Sequence, residues 1–210
     1  MVFHFYADEN YKNNVASNVH LNCLKEYAHI FNAIIVVLSV PDISNKQLLL
    51  NAKCDIAAAL NDCENVTIKV KQNTPYYEAL TLKEEVIDKF DSFDGLVFFG
   101  HSKGYSNVLN AYFKTDNILQ WIEGMYYLNL NFIDEIVYKF TSNGPTCRTY
   151  GAFAMKSRTE SSVEIGSAYA GTFFWLNPAK ILNDIDVYGD ADNTIQEVVK
   201  FADRGYAEEF

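Results

Sequence analysis

Ala33-Ile34-Ile35-Val36-Val37-Leu38 is apolar at every position, and β-branched residues fill its centre. A strand with one wet face alternates apolar and polar residues, whereas a strand covered on both faces reads as a continuous run. Leu96-Val97-Phe98-Phe99 has the same character, and Pro41 and the Asp94-Gly95 turn punctuate the two runs. Two further strands are expected. One is Val2-Phe3-His4-Phe5-Tyr6, which stops at the polar cluster Ala7-Asp8-Glu9-Asn10; the other is Asn65-Val66-Thr67-Ile68-Lys69-Val70. Helical spacing separates them. Val19, Leu21, Leu24, Tyr27, Ile30 and Phe31 mark a helix over 18–31, Ser44 serves as the cap of a helix reaching Leu60, and 78–90 is again helical. The order β-α-β-α-β-α-β predicts an α/β domain, 1–210, with a mostly parallel sheet and helices on both faces. Ligands of such sheets lie outside the carboxyl ends of the strands.

Beyond residue 105 the alternation weakens. Residues 118–140 read as one long or bent helix ended by Asn143-Gly144-Pro145, 150–155 and 169–175 as short strands, and 194–204 as a final helix.

The 210 residues are 49% apolar and include 15 Phe, 14 Tyr and 2 Trp, which excludes a disordered chain and a disulfide-dependent mini-protein. Lys and Arg number 17 against 27 Asp and Glu, a net charge of −10 with no basic cluster, so nucleic acid is not an expected partner. Met1-Val2-Phe3-His4-Phe5 carries no basic stretch ahead of a long apolar one, and the longest aliphatic run is six residues; neither signal peptide nor spanning helix is expected. Cys23, Cys54, Cys63 and Cys147 show no metal or redox spacing, and a reducing cytoplasm is the expected compartment.

Gly100-His101-Ser102-Lys103-Gly104 follows a buried strand and matches the G-x-S-x-G elbow of serine hydrolases. That reading requires a histidine base after the serine, and the histidines are His4, His20, His29 and His101. A Ser102 nucleophile therefore ranks last. The same residues suit phosphate oxygens: glycines admit a close backbone approach, Lys103 is a compact cation, and His101 is an adjustable donor.

The ordered set Glu78-Ala79-Leu80-Thr81-Leu82, Phe98-Phe99-Gly100-His101-Ser102-Lys103-Gly104, Trp121 with Met125, and Ala168-Tyr169-Ala170-Gly171-Thr172-Phe173-Phe174-Trp175 resembles a glycosyltransferase family marked by E-x-x-T-L, H-T-K-G and H-Y-S-G-N-F-W-W. Arg204 and Glu208 resemble that family's closing Arg and Glu. The resemblance implies a Rossmann-like, GT-A-type fold: a nucleotide-sugar-binding half over 1–105 and an acceptor-side half over 106–210. It also implies transfer of a sugar to a glycan or glycoconjugate. Ala168, Ala170 and Thr172 stand where the family has His, Ser and Asn, which opens the alternative of a catalytically silent nucleotide- or glycan-binding domain.

On this reading His101, Lys103 and Glu208 are the catalytic candidates. Tyr6, Asp8, Glu78, Gly100, Ser102 and Gly104 bind the donor, and Tyr169, Gly171, Thr172, Phe174 and Trp175 contact sugar or acceptor. No Asp-x-Asp follows Phe99, so no cofactor is expected to be required; Asp190 and Asp192 are the weak candidates should Mn²⁺ or Mg²⁺ take part.

Overall fold

A computed structural model describes residues 1–74, 77–102, 104–105, 115–142, 147–152, 154–158, 164–169 and 173–188. Strands β1 (Val2–Tyr6), β2 (Ile34–Val40), β3 (Val66–Gln72), β4 (Val97–His101), β5 (Thr149–Tyr150) and β8 (Phe174–Leu176) form one sheet in the order β3-β2-β1-β4-β8-β5. The first four are parallel, and β8 runs antiparallel to both β4 and β5. The sheet is thus mixed, and the expected mostly parallel arrangement is confined to the β1–β4 half. Strands β6 (Ala154–Arg158) and β7 (Glu164–Tyr169) pair separately.

The helices are α1 (Val15–Tyr27), α2 (Lys46–Ala59), α3 (Tyr77–Glu85), α4 (Thr115–Leu130), α5 (Ile133–Ser142) and α6 (Pro178–Tyr188). Helix α1 buries His20, Cys23, Leu24 and Tyr27, the i, i+3, i+4, i+7 stripe of a one-sided helix. Strand residues alternate between two cores. Phe3, Phe5 and Phe98 join the rings of Tyr126 and Phe173 beneath α1 and α4, while Val2, Val97 and Phe99 meet Leu82, Phe90 and Ile181 from the α3 and α6 side. Strands β1, β2 and β4 therefore carry apolar side chains on both faces, which is why β2 reads as a continuous run, whereas β3 at the end of the sheet alternates Val66, Ile68 and Val70 with Thr67, Lys69 and Lys71.

Several expectations need correction. Ser44 does not cap α2; its N–H and hydroxyl both donate to Asp42, and Asn45 Oδ1 accepts the N–H of Leu48 at 3.1 Å. The helix expected to reach Phe90 ends at Glu85 and continues as a 3₁₀ segment over Ile87–Ser92. The single helix expected over 118–140 is two, α4 and α5, separated at Asn131-Phe132. The strand expected over 150–155 divides between β5 and β6, and the one expected over 169–175 between β7 and β8. The expected 194–204 helix lies outside the described residues. Among the described residues, no helix is long and apolar enough to cross a membrane.

Outermost among the described strands on one side of the sheet, β3 carries Lys69 and Lys71, whose ammonium groups reach Glu85 and Glu84 of α3.

Candidate functional site

In the order β3-β2-β1-β4 the chain winds one way from β1 to β3 and then crosses back to β4. The loops after β1 and β4 consequently part at the carboxyl ends of two adjacent strands, where an open α/β sheet leaves a crevice. Tyr6 and Asp8 of one expected site segment and Ser102 of another meet there, with Tyr105 beside them.

Ser102 knits the two strands beyond their last ladder pair. Its N–H donates to His4 O at 2.8 Å, and its Oγ accepts the N–H of Tyr6 at 2.9 Å. The hydroxyl oxygen substitutes for a backbone carbonyl. Among the described residues no histidine is bonded to it, whereas a serine nucleophile needs a histidine in hydrogen-bond reach.

Asp8 accepts two donors on Oδ1, the N–H of Asn10 at 2.8 Å and the hydroxyl of Tyr105. Tyr105 is held from two further directions. Its carbonyl accepts Asn14 Nδ2 at 3.1 Å, and its ring meets Tyr6 edge-on at 5.0 Å between centroids. Burial, and then the bond to Asp8, push the Tyr105 phenol well above its ordinary pKa, so it remains a donor. Asn14 also caps α1, accepting from the N–H groups of Ala16 and Ser17.

A second, buried layer lies under the crevice on the α3 side. His4 Nδ1 shares a 2.8 Å hydrogen bond with Thr81 Oγ1. His101 is the register partner of His4 on β4, and Glu78 lies one turn from Thr81 on the same face of α3. All four are buried. A βαβ crossover runs its helix back against the strand direction, so the start of α3, with Glu78, stands at the carboxyl end of the sheet.

The flanking glycines have structural causes. A Cβ at Gly100 would lie 3.3 Å from the rings of Phe173 and Phe3, so the packing of these rings in the core is by itself a reason for glycine here. Gly104 sits at φ +88° in the turn after β4, and a Cβ there would meet Ile118 of α4 at 2.8 Å.

The expected sugar platform is also corrected. Trp175 is buried, with its ring stacked on Phe31 and its Nε1–H donating to Asn129 O at 2.8 Å, and Phe174 packs on Phe99. Both faces of these rings belong to the protein interior. Tyr169 closes β7, paired with Ala154. Lys103, Gly171, Thr172, Asp190, Asp192 and Glu208 lie outside the described residues. Among the described residues, no group of three or more His, Cys, Asp or Glu is gathered as a metal site.

Tyr105 escaped the sequence reading. It follows the glycine-flanked motif directly, yet nothing in spacing pairs it with Asp8, 97 positions away. Asn14 escaped it as well: the helix expected from residue 18 begins at Val15, with Asn14 as its N-cap and as the holder of the Tyr105 carbonyl.

Fold and site together define an α/β protein with a cluster of polar residues at the carboxyl ends of its first and fourth strands. Compared with known proteins, the chain matches no family model, no curated protein and no solved structure.

Proposed function

We propose that the chain is a nucleotide-sugar-dependent glycosyltransferase of Rossmann-like, GT-A-type architecture, with its donor in the crevice between β1 and β4. The observation that carries this reading is the meeting of the β1 and β4 loops at the reversal of strand order, with Tyr6, Asp8, Ser102 and Tyr105 linked across it. Under the proposal Lys103 and His101 compensate the charge of the leaving diphosphate, and Glu78 completes the polar wall. Glu208 acts on the acceptor, a glycan or glycoconjugate. Phe99 is followed by Gly100-His101-Ser102-Lys103 with no carboxylate pair, so charge compensation by the chain's own cations is favoured over a required Mn²⁺ or Mg²⁺.

Calorimetric titration with UDP- and GDP-sugars, first in EDTA and then with Mn²⁺, tests the proposal. Binding is expected in EDTA, and Lys103→Ala should weaken it by about 1.5–3 kcal/mol in a folded variant, the worth of a charge-assisted hydrogen bond. Unchanged affinity in that variant would remove Lys103 from the site. Binding that needs metal and vanishes in Asp190→Ala/Asp192→Ala would move charge compensation to those carboxylates. Donor binding without turnover on any glycan would identify the silent binding domain instead.

A further inference from the structure

We infer that Tyr105 is a positioning residue that fixes Asp8 so that its free carboxylate oxygen receives a ribose hydroxyl of the bound nucleotide. This rests on the nucleotide reading above and adds to it a specificity for ribose.

Asp8 is asymmetric. Oδ1 already accepts two donors, from Asn10 and Tyr105, and no donor is bonded to Oδ2 among the described residues. A carboxylate has lone pairs for about four donors over its two oxygens, so Oδ2 retains acceptor capacity. What it would accept follows from charge. A phosphate beside a carboxylate is repelled, so in a nucleoside diphosphate the part that suits Asp8 is the neutral, hydroxyl-bearing ribose.

The asymmetry depends on Tyr105. The turn at Gly104 follows Ser102, which is itself tied to β1, and Asn14 holds the Tyr105 carbonyl while capping α1. The phenol is thus aimed by anchors on three segments, and without its hydroxyl the Asp8 carboxylate keeps only the local bond from Asn10. Because the phenol titrates far above neutrality, the arrangement persists across the physiological pH range.

The test compares UDP and GDP with their 2′,3′-dideoxy counterparts by calorimetry on the whole chain. The wild type should bind the ribose forms at least about tenfold more tightly, as expected for a hydrogen bond to a charged acceptor. Tyr105→Phe should narrow that ratio to roughly threefold or less while leaving the affinity for the dideoxy forms unchanged, a pattern that general loosening of the fold does not produce. If Tyr105→Phe fails to fold, Asp8→Ala must abolish the ratio. A ratio that survives in folded Tyr105→Phe or in Asp8→Ala overturns the inference. Equal wild-type binding of ribose and dideoxy forms overturns it and leaves the nucleotide reading standing, whereas failure to bind either form overturns both.

Discussion

On the face covered by α1, α2 and α4 the sheet meets aromatic rings, and on the face covered by α3 it meets a smaller apolar cluster bordered by polar groups. Phe3, Phe98, Tyr126, Phe173 and Trp175 interlock on the first face, with centroids 5.0–6.3 Å apart in the pairs they form. Its buried histidine is a core group: His20 Nδ1 bonds the Tyr126 hydroxyl at 3.0 Å inside that ring cluster. On the second face His4, Thr81, Glu78 and Glu85 are buried along one side of α3, beside Leu82 and Val86. Ring packing buries large apolar areas in stacked or edge-to-face pairs and excludes water, whereas a polar layer needs hydrogen-bond partners for each of its groups. The contrast sets ring packing on one face against a buried polar layer on the other.

Phe98→Ala strikes the aromatic face where Phe31, Phe173 and Trp175 converge, and it should cost about 3–5 kcal/mol in urea unfolding through the cavity it opens. A cost below about 1 kcal/mol would mean that the ring cluster repacks freely and the contrast between faces fails.

That aromatic face was also the most legible part of the chain. Phe3, Phe5 and Phe98 lie in strands buried on both sides, and such strands announce themselves by unbroken apolar runs. Legibility declined where the signal was a single polar side chain. Ser44 and Asn45 are both good caps, and only the capture of Ser44 by Asp42 decides between them. Helix α6 was missed although Asn177-Pro178 carries a helix-start signal: Pro suits the first helical position, and Asn177 Oδ1 accepts the N–H of Lys180 at 3.1 Å. In the candidate site, Tyr6, Asp8 and Ser102 were legible only as residues that follow parallel strands, and the structure brings them together around Tyr105. Phe174 and Trp175 are core rings instead: a motif cannot distinguish a ring that faces a sugar from one that faces Phe31 or Phe99.

Thr81→Val tests the polar face. It keeps the shape of the side chain and removes the partner of His4 Nδ1, which should cost about 1–2 kcal/mol, the penalty for deleting one buried hydrogen bond. A loss as large as that of Phe98→Ala would show that the polar layer, too, holds the sheet together.

Glu85 gives a smaller effect with a pH signature. Burial alone would raise its pKa, but hydrogen bonds from Lys69 and Lys89 reverse the shift and hold it below the ordinary value of 4.5. A carboxylate depressed on folding contributes stability above its unfolded pKa and loses it as pH falls through the folded one. At pH 7 Glu85→Gln should therefore be less stable by about 1 kcal/mol, a figure kept small because both lysines are more than one-third exposed. The difference should shrink as the medium is acidified below pH 4.5. Unfolding curves at pH 7 and pH 3 that differ between wild type and variant by the same amount would contradict the assignment.

The lysines of β3 bear on how copies of the chain meet. An unpaired strand edge is a template on which another chain can add its own strand, and folded proteins discourage this with charge near the edge. Lys69 and Lys71 hold two cations beside the outermost parallel strand, and Glu84 and Glu85 of α3 fix their ammonium groups in place. An approaching strand would have to displace or desolvate these ion pairs before forming its first ladder hydrogen bond. The contacts that dock α3 on the sheet thereby also guard against edge-to-edge self-association.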